Sequence, residues 1–165
     1  MSMNVLHDLL EANEHYAETF AWGELTREPR RGYAVVTCMD ARIVPTHMLG
    51  IAYGDANVLR NAGAVVTDDV LRSLVVSHHL LGTNQALVVG HTDCGLQAFT
   101  DAQIAERIEA ELGVPASLEF LAFEEVEASV VGSIGRIRSC ELLPGSYNAS
   151  GFVYDVRTGR LRQVA

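Results

Sequence analysis

Two short apolar runs, each ending in residues that bind metals, restrict the possible fold more than any other feature of the chain. Tyr33 to Cys38 is rich in β-branched residues and follows Gly32, so it reads as a buried strand that delivers Cys38, Asp40 and Arg42 at its carboxyl end. Alternate residues of an extended chain share a face, so this thiol, carboxylate and guanidinium are expected to project together beyond the strand end. That crevice is where open α/β sheets bind ligands. A second run, Ala86 to Gly90, ends in the same manner with His91 and then Cys94. Two sulfurs, one imidazole and one carboxylate form a zinc site in kind and number.

The remaining pattern supplies helices for such a sheet. Met3 to Phe20 places Val5, Leu6, Leu9, Leu10, Tyr16 and Phe20 at helical spacing, with His7 and His15 on the solvated side. Pro45 starts a short helix, and Asn57 to Arg60 is a brief strand leading into a tight loop at Asn61-Ala62-Gly63. Thr67, Asp68 and Asp69 cap a helix that runs to Leu81 and stops at Gly82. This helix is apolar nearly all round, which predicts burial beneath the sheet or at a subunit contact. Its adjacent His78 and His79 diverge by about 100°, so they cannot chelate one ion together and are read as structural. Thr100 and Gln103 form a capping box opening a helix to Leu112. Leu118 to Arg138 reads as a further helix, Pro144 to Ser150 as a loop, and Phe152 to Val164 as a terminal strand with a hairpin return. The expected fold is α/β, a short, mostly parallel sheet flanked by helices in a single domain over 1–165.

Composition excludes several classes of function. A formal charge of −9 opposes nucleic acid and anionic lipid partners. All 12 basic residues are arginines, which removes Schiff-base chemistry and the phosphate-loop lysine. No basic region followed by an apolar core opens the chain, and no run reaches the about 18 apolar residues of a membrane span. The expectation is a cytoplasmic protein. A reducing compartment would leave its three cysteines as thiols, with Cys140, near a helix end and far from histidine, unligated.

Three protein ligands leave zinc a fourth position, where a bound water becomes a hydroxide nucleophile near neutral pH. Asp40 has two options. It can take that position and close the site, or pair with Arg42 and hydrogen-bond the water, leaving the site open. A non-catalytic structural zinc module is the third reading, disfavoured because closed structural sites usually hold four Cys or His ligands.

Cys38-x-Asp40-x-Arg42 with His91-x-x-Cys94-Gly95 resembles the β-class carbonic anhydrases, and Arg60-Asn61-Ala62-Gly63 resembles that family's loop beside the metal. The match is strong over Tyr33 to Phe99, and the small size is similar to the compact bacterial branch. The resemblance implies one zinc per chain on Cys38, His91 and Cys94, a catalytic Asp40–Arg42 dyad, and Gly63 beside the substrate. It further implies a homodimer or homotetramer in which the first helix packs on a neighbouring subunit. The implied reaction is reversible hydration of carbon dioxide to bicarbonate, with carbonyl sulfide hydrolysis as the alternative because the same branch contains such enzymes.

Overall fold

A computed structural model describes residues 5–165. Helix α1 spans Val5–Glu18, and the first two residues of the expected helix, Met3 and Asn4, lie outside the described residues. Strands β1 (Tyr33–Cys38), β2 (Ala56–Asn61), β3 (Gln85–His91), β4 (Asn148–Tyr154) and β5 (Leu161–Gln163) form one sheet in the order β2-β1-β3-β4-β5. The first four are parallel, and β5 returns antiparallel on β4. Helices α2 (Pro45–Met48), α3 (Asp68–Leu81), α4 (Asp101–Leu112) and α5 (Val126–Arg138) fill the connections.

The continuous apolar run of β1 is explained by cover on both faces. Ala34, Val36, Ala86 and Val88 pack with Val70 and Leu74 of α3 and Val130, Ile134 and Ile137 of α5. Val35 and Val89 face the other way, onto Ile51 and the adjoining Met48 and Leu49. Strands buried on both sides gain nothing from polar alternation, so Ala34 to Val36 in β1 and Ala86 to Val89 in β3 are continuous apolar runs. Helix α5 lies close against the sheet because glycines stand beneath it. A Cβ at Gly90 would fall 2.8 Å from methyls of Val126 and Val130, and one at Gly151 2.6 Å from Val130.

Helix α3 is capped as expected, with the Thr67 hydroxyl accepting from Val70 N and Gly82 in the left-handed conformation. It is buried on one face only; Leu80 remains 70% exposed. Its two histidines are structural, His78 Nδ1 donating to Thr83 O (2.6 Å) and His79 Nε2 to Leu142 O (2.8 Å).

Helix α1 ends at Glu18, two residues short of the expected Phe20, and two other boundaries move further. Helix α5 starts at Val126 instead of Leu118. The cause is a turn at Leu121, whose φ of +58° is not helical, held by the Asp101 carboxylate, which accepts the backbone N–H groups of Phe120, Leu121 and Ala122 (3.1, 3.2 and 2.8 Å). The segment is thereby held in a loop that directs Phe123 to the carboxyl end of the sheet, where it packs on Cys38, Ala64 and Cys94. Strand β4 begins at Asn148, inside the stretch expected to be a loop, because Asn148 to Gly151 pair in register with Gln85 to Val88. Among the described residues, no helix is long and apolar enough to cross a membrane.

Candidate metal centre

β1 and β3 are hydrogen-bonded neighbours with Thr37 opposite Val89, so their carboxyl ends finish almost flush. Cys38 closes β1 and His91 closes β3. The chain then turns at Thr92 and Asp93, the latter with φ +56°, and brings Cys94 back toward the strand ends. One donor atom each from Cys38, His91 and Cys94 lies within 4.8 Å of the others, and all three residues are buried.

Hydrogen bonding fixes which atoms face inward. His91 Nδ1 donates to Thr92 O (2.9 Å), so Nε2 carries the lone pair. That Nε2 is buried and has no hydrogen-bond partner. Buried polar atoms are seldom left unsatisfied, and an unpartnered imidazole nitrogen in a cluster with two sulfurs fits a metal ion. The sulfurs fit as well. The adjacent Cys94 thiol holds the Cys38 thiol down at about 4 despite its burial, with help from His91 and the N–H groups of Asp40 and Gly63. The closeness of Cys38, together with burial, pushes Cys94 up. One sulfur of the pair thus ionises readily, and the second does so when a cation takes the proton's place. At His91, burial pulls the pKa down, but the contact with Cys38 and the Thr92 bond outweigh it and the net direction is up.

Asp40 and Arg42 stand beside this cluster, brought together by a turn after β1 and not by the strand alternation expected. Arg42 N donates to Asp40 Oδ1 (2.9 Å), which folds the chain back so that Arg42 Nε and Nη2 reach Oδ1 and Oδ2 (3.0 and 2.8 Å). This two-point grip holds the Asp40 carboxyl well below the usual range, overriding its burial. Arg60 braces the same turn, its Nε donating to Cys38 O (3.0 Å) and its Nη2 to Asp40 O (2.8 Å).

Gly63 sits behind Cys38, its N–H 3.4 Å from the sulfur. Its φ is +75°, and a Cβ there would stand 2.8 Å from Phe123 and 2.9 Å from Leu96. Only glycine fits. A pocket of about 210 Å³ opens over the cluster, lined by Cys38, Met39, Asp40, Gly63, Cys94 and Leu96 among others. Cys140 is a free, half-buried thiol outside the ligand cluster.

Sequence reasoning missed three residues here. Asp93 accepts from Arg42 Nη1 at 2.7 Å; its position between His91 and Cys94 was the available signal. Arg60 was read only as part of a loop motif. Phe123 was hidden by its assignment to a helix.

A parallel α/β sheet whose strand ends converge two thiols and an imidazole, next to an ionised carboxylate and a small pocket, defines a metal-dependent enzyme site. Comparison with known proteins gives the family. A sequence model of carbonic anhydrases matches residues 33–114. The β-carbonic anhydrase 1 of Mycobacterium tuberculosis is 41% identical over 162 residues, which is 98% of this chain and 99% of that protein. A carbon disulfide hydrolase of Acidianus is 32% identical over 153 residues, 78% of this chain and 75% of that one. A solved carbonic anhydrase from Streptococcus mutans superposes with TM-score 0.95 at 43% identity, covering 100% of both chains. The chain belongs to the β-carbonic anhydrase family. It is an enzyme of a zinc-using family, and Cys38, His91 and Cys94 are placed to hold the ion.

Proposed function

We propose that this enzyme catalyses the reversible hydration of carbon dioxide to bicarbonate, with zinc held by Cys38, His91 and Cys94. The observation that carries this reading is the disposition of Asp40, which is gripped by Arg42 and is not one of the three converging ligands. Zinc, when bound, supplies the Lewis acidity that makes water a nucleophile near neutral pH. Thr92 O fixes the His91 tautomer, so that Nε2 is the liganding atom. Arg42 keeps Asp40 ionised, and the carboxylate then accepts a hydrogen bond from the attacking water, aims its lone pair at substrate and gives its proton an outward path. Met39, Ala62 and Leu96 line the pocket with apolar surface suited to a small, nonpolar, linear molecule, and Gly63 leaves it room.

A second reading is hydrolysis of a linear sulfur analogue, carbonyl sulfide or carbon disulfide, at the same site. The carbon disulfide hydrolase among the relatives favours it. Stopped-flow hydration of carbon dioxide, run beside sulfide release from both analogues, decides between them. The proposal predicts the highest specificity constant for carbon dioxide, and a higher value for either sulfur substrate overturns it.

The same reading makes the chain one domain acting in the cytoplasm as a homo-oligomer, dimeric or tetrameric. Thiols used as ligands are best kept in a reducing compartment, and the uncovered apolar stripe of α1 calls for a second copy.

A further inference from the structure

Arg42 does not serve Asp40 alone. Its Nε and one Nη2 proton go to the Asp40 carboxylate; the other Nη2 proton reaches Asp93 O (2.8 Å), and Nη1 reaches Asp93 Oδ2 (2.7 Å). Asp93 therefore meets the guanidinium with both its backbone carbonyl and its side chain. It does so from φ +56°, a conformation that non-glycine residues occupy at a cost and that persists where the surroundings impose it. That backbone angle lies between two predicted metal ligands, His91 and Cys94, and it is what turns both Asp93 oxygens toward Arg42.

We infer that Asp93 is a positioning residue, which holds Arg42 against Asp40 and thereby keeps the Asp40 carboxylate out of the Cys38–His91–Cys94 cluster. The Arg42 side chain is half exposed, and solvent competes for an arginine held at one end only. Contacts to Asp40 fix one edge of the guanidinium; contacts to Asp93 fix the other, so the plane cannot swing outward and release Asp40. Asp93 is neither one of the cluster's three ligands nor among the residues lining the pocket, and acts through Arg42. This role rests on the proposed function of Asp40 as a residue working beside the metal and not on it.

The test uses the full chain in two variants that separate the carboxylate from the backbone. Asp93→Gly accepts the positive φ without strain and removes the side-chain acceptor. Asp93→Asn tolerates the same φ and keeps an amide oxygen for Arg42. Zinc content, melting temperature, kcat and KM for carbon dioxide hydration, and the visible spectrum of the cobalt-substituted protein are measured, with Arg42→Ala as the reference. Loss of one charge-assisted contact predicts that Asp93→Gly keeps its zinc and melting temperature, while kcat falls about tenfold and KM changes less than about twofold. Its cobalt spectrum should move toward that of Arg42→Ala, and Asp93→Asn should recover kcat to within about threefold of the parent. A parental kcat and spectrum in Asp93→Gly, a fall in kcat with an unchanged spectrum, or no recovery in Asp93→Asn overturns the inference. Absence of carbon dioxide hydration in the parent enzyme overturns the proposed reaction instead, and the cobalt spectra still decide the role of Asp93.

Discussion

His91 Nε2 stands 3.9 Å from Asp40 Oδ2, whereas the same carboxylate oxygen is 2.8 Å from Arg42 Nη2. The buried imidazole and the carboxylate are near enough to share a ligand and too far apart to bond each other. Arg42 decides this spacing. A charge-assisted pair with two parallel contacts outweighs a long carboxylate–imidazole approach, so Asp40 remains ionised and turned aside. The cluster that results has three inward donors and a charged acceptor on its margin.

Each chain is expected to carry one zinc. Replacing a thiolate by a hydroxyl that stays protonated removes a ligand, so Cys94→Ser should lose most of its metal in elemental analysis. Full occupancy in that variant would remove the ligand assignment.

Gly63→Ala should impair both folding and turnover. The new methyl meets Phe123 and Leu96 at under 3 Å from a positive φ, so backbone strain and overpacking act together. A loss of about 2 kcal/mol or more is expected in urea unfolding. An unchanged denaturation midpoint would mean that Leu96 and Phe123 yield without cost.

How far the sequence was legible follows from the range of the forces involved. β1, α3 and the capping box were readable because their signals are local: a β-branched run, a Thr67 cap, a Thr100–Gln103 pair. The start of α5 was not, because Asp101 captures three amides about 20 residues away, and hydrophobic spacing alone continues the helix through Leu118. The three ligands were legible from residue type at two strand ends. The Asp93–Arg42 contact was not, since it depends on a 51-residue separation closed by sheet register and on a positive φ that no periodicity announces.

Acid stability should depend in part on Asp55. The N–H of Ala52 and the Arg30 guanidinium hold its pKa below the ordinary value of 3.8. A carboxylate depressed in the folded state contributes stability above its unfolded pKa and loses it as pH falls through the folded one. Asp55→Asn should therefore unfold at lower urea than the parent at pH 7, with the gap closing as pH falls below 3.8 and through the depressed folded value. A gap that is constant with pH would assign the effect to packing.

The isolated protomer should not persist. No residue of α1 is buried, and Leu6 and Leu10, one turn apart, are 73% and 65% exposed. Light scattering at micromolar concentration should report a dimer or larger, and Leu6→Glu with Leu10→Glu should shift it to smaller species. A stable parental monomer contradicts this.

The most direct measurement is stopped-flow carbon dioxide hydration by Asp40→Ala, with zinc determined on the same samples. A carboxylate that works beside the metal without holding it predicts zinc near one per chain and turnover reduced by about 100-fold or more. Unimpaired turnover at full zinc occupancy would show that the Asp40–Arg42 pair is structural, and would contradict the mechanism.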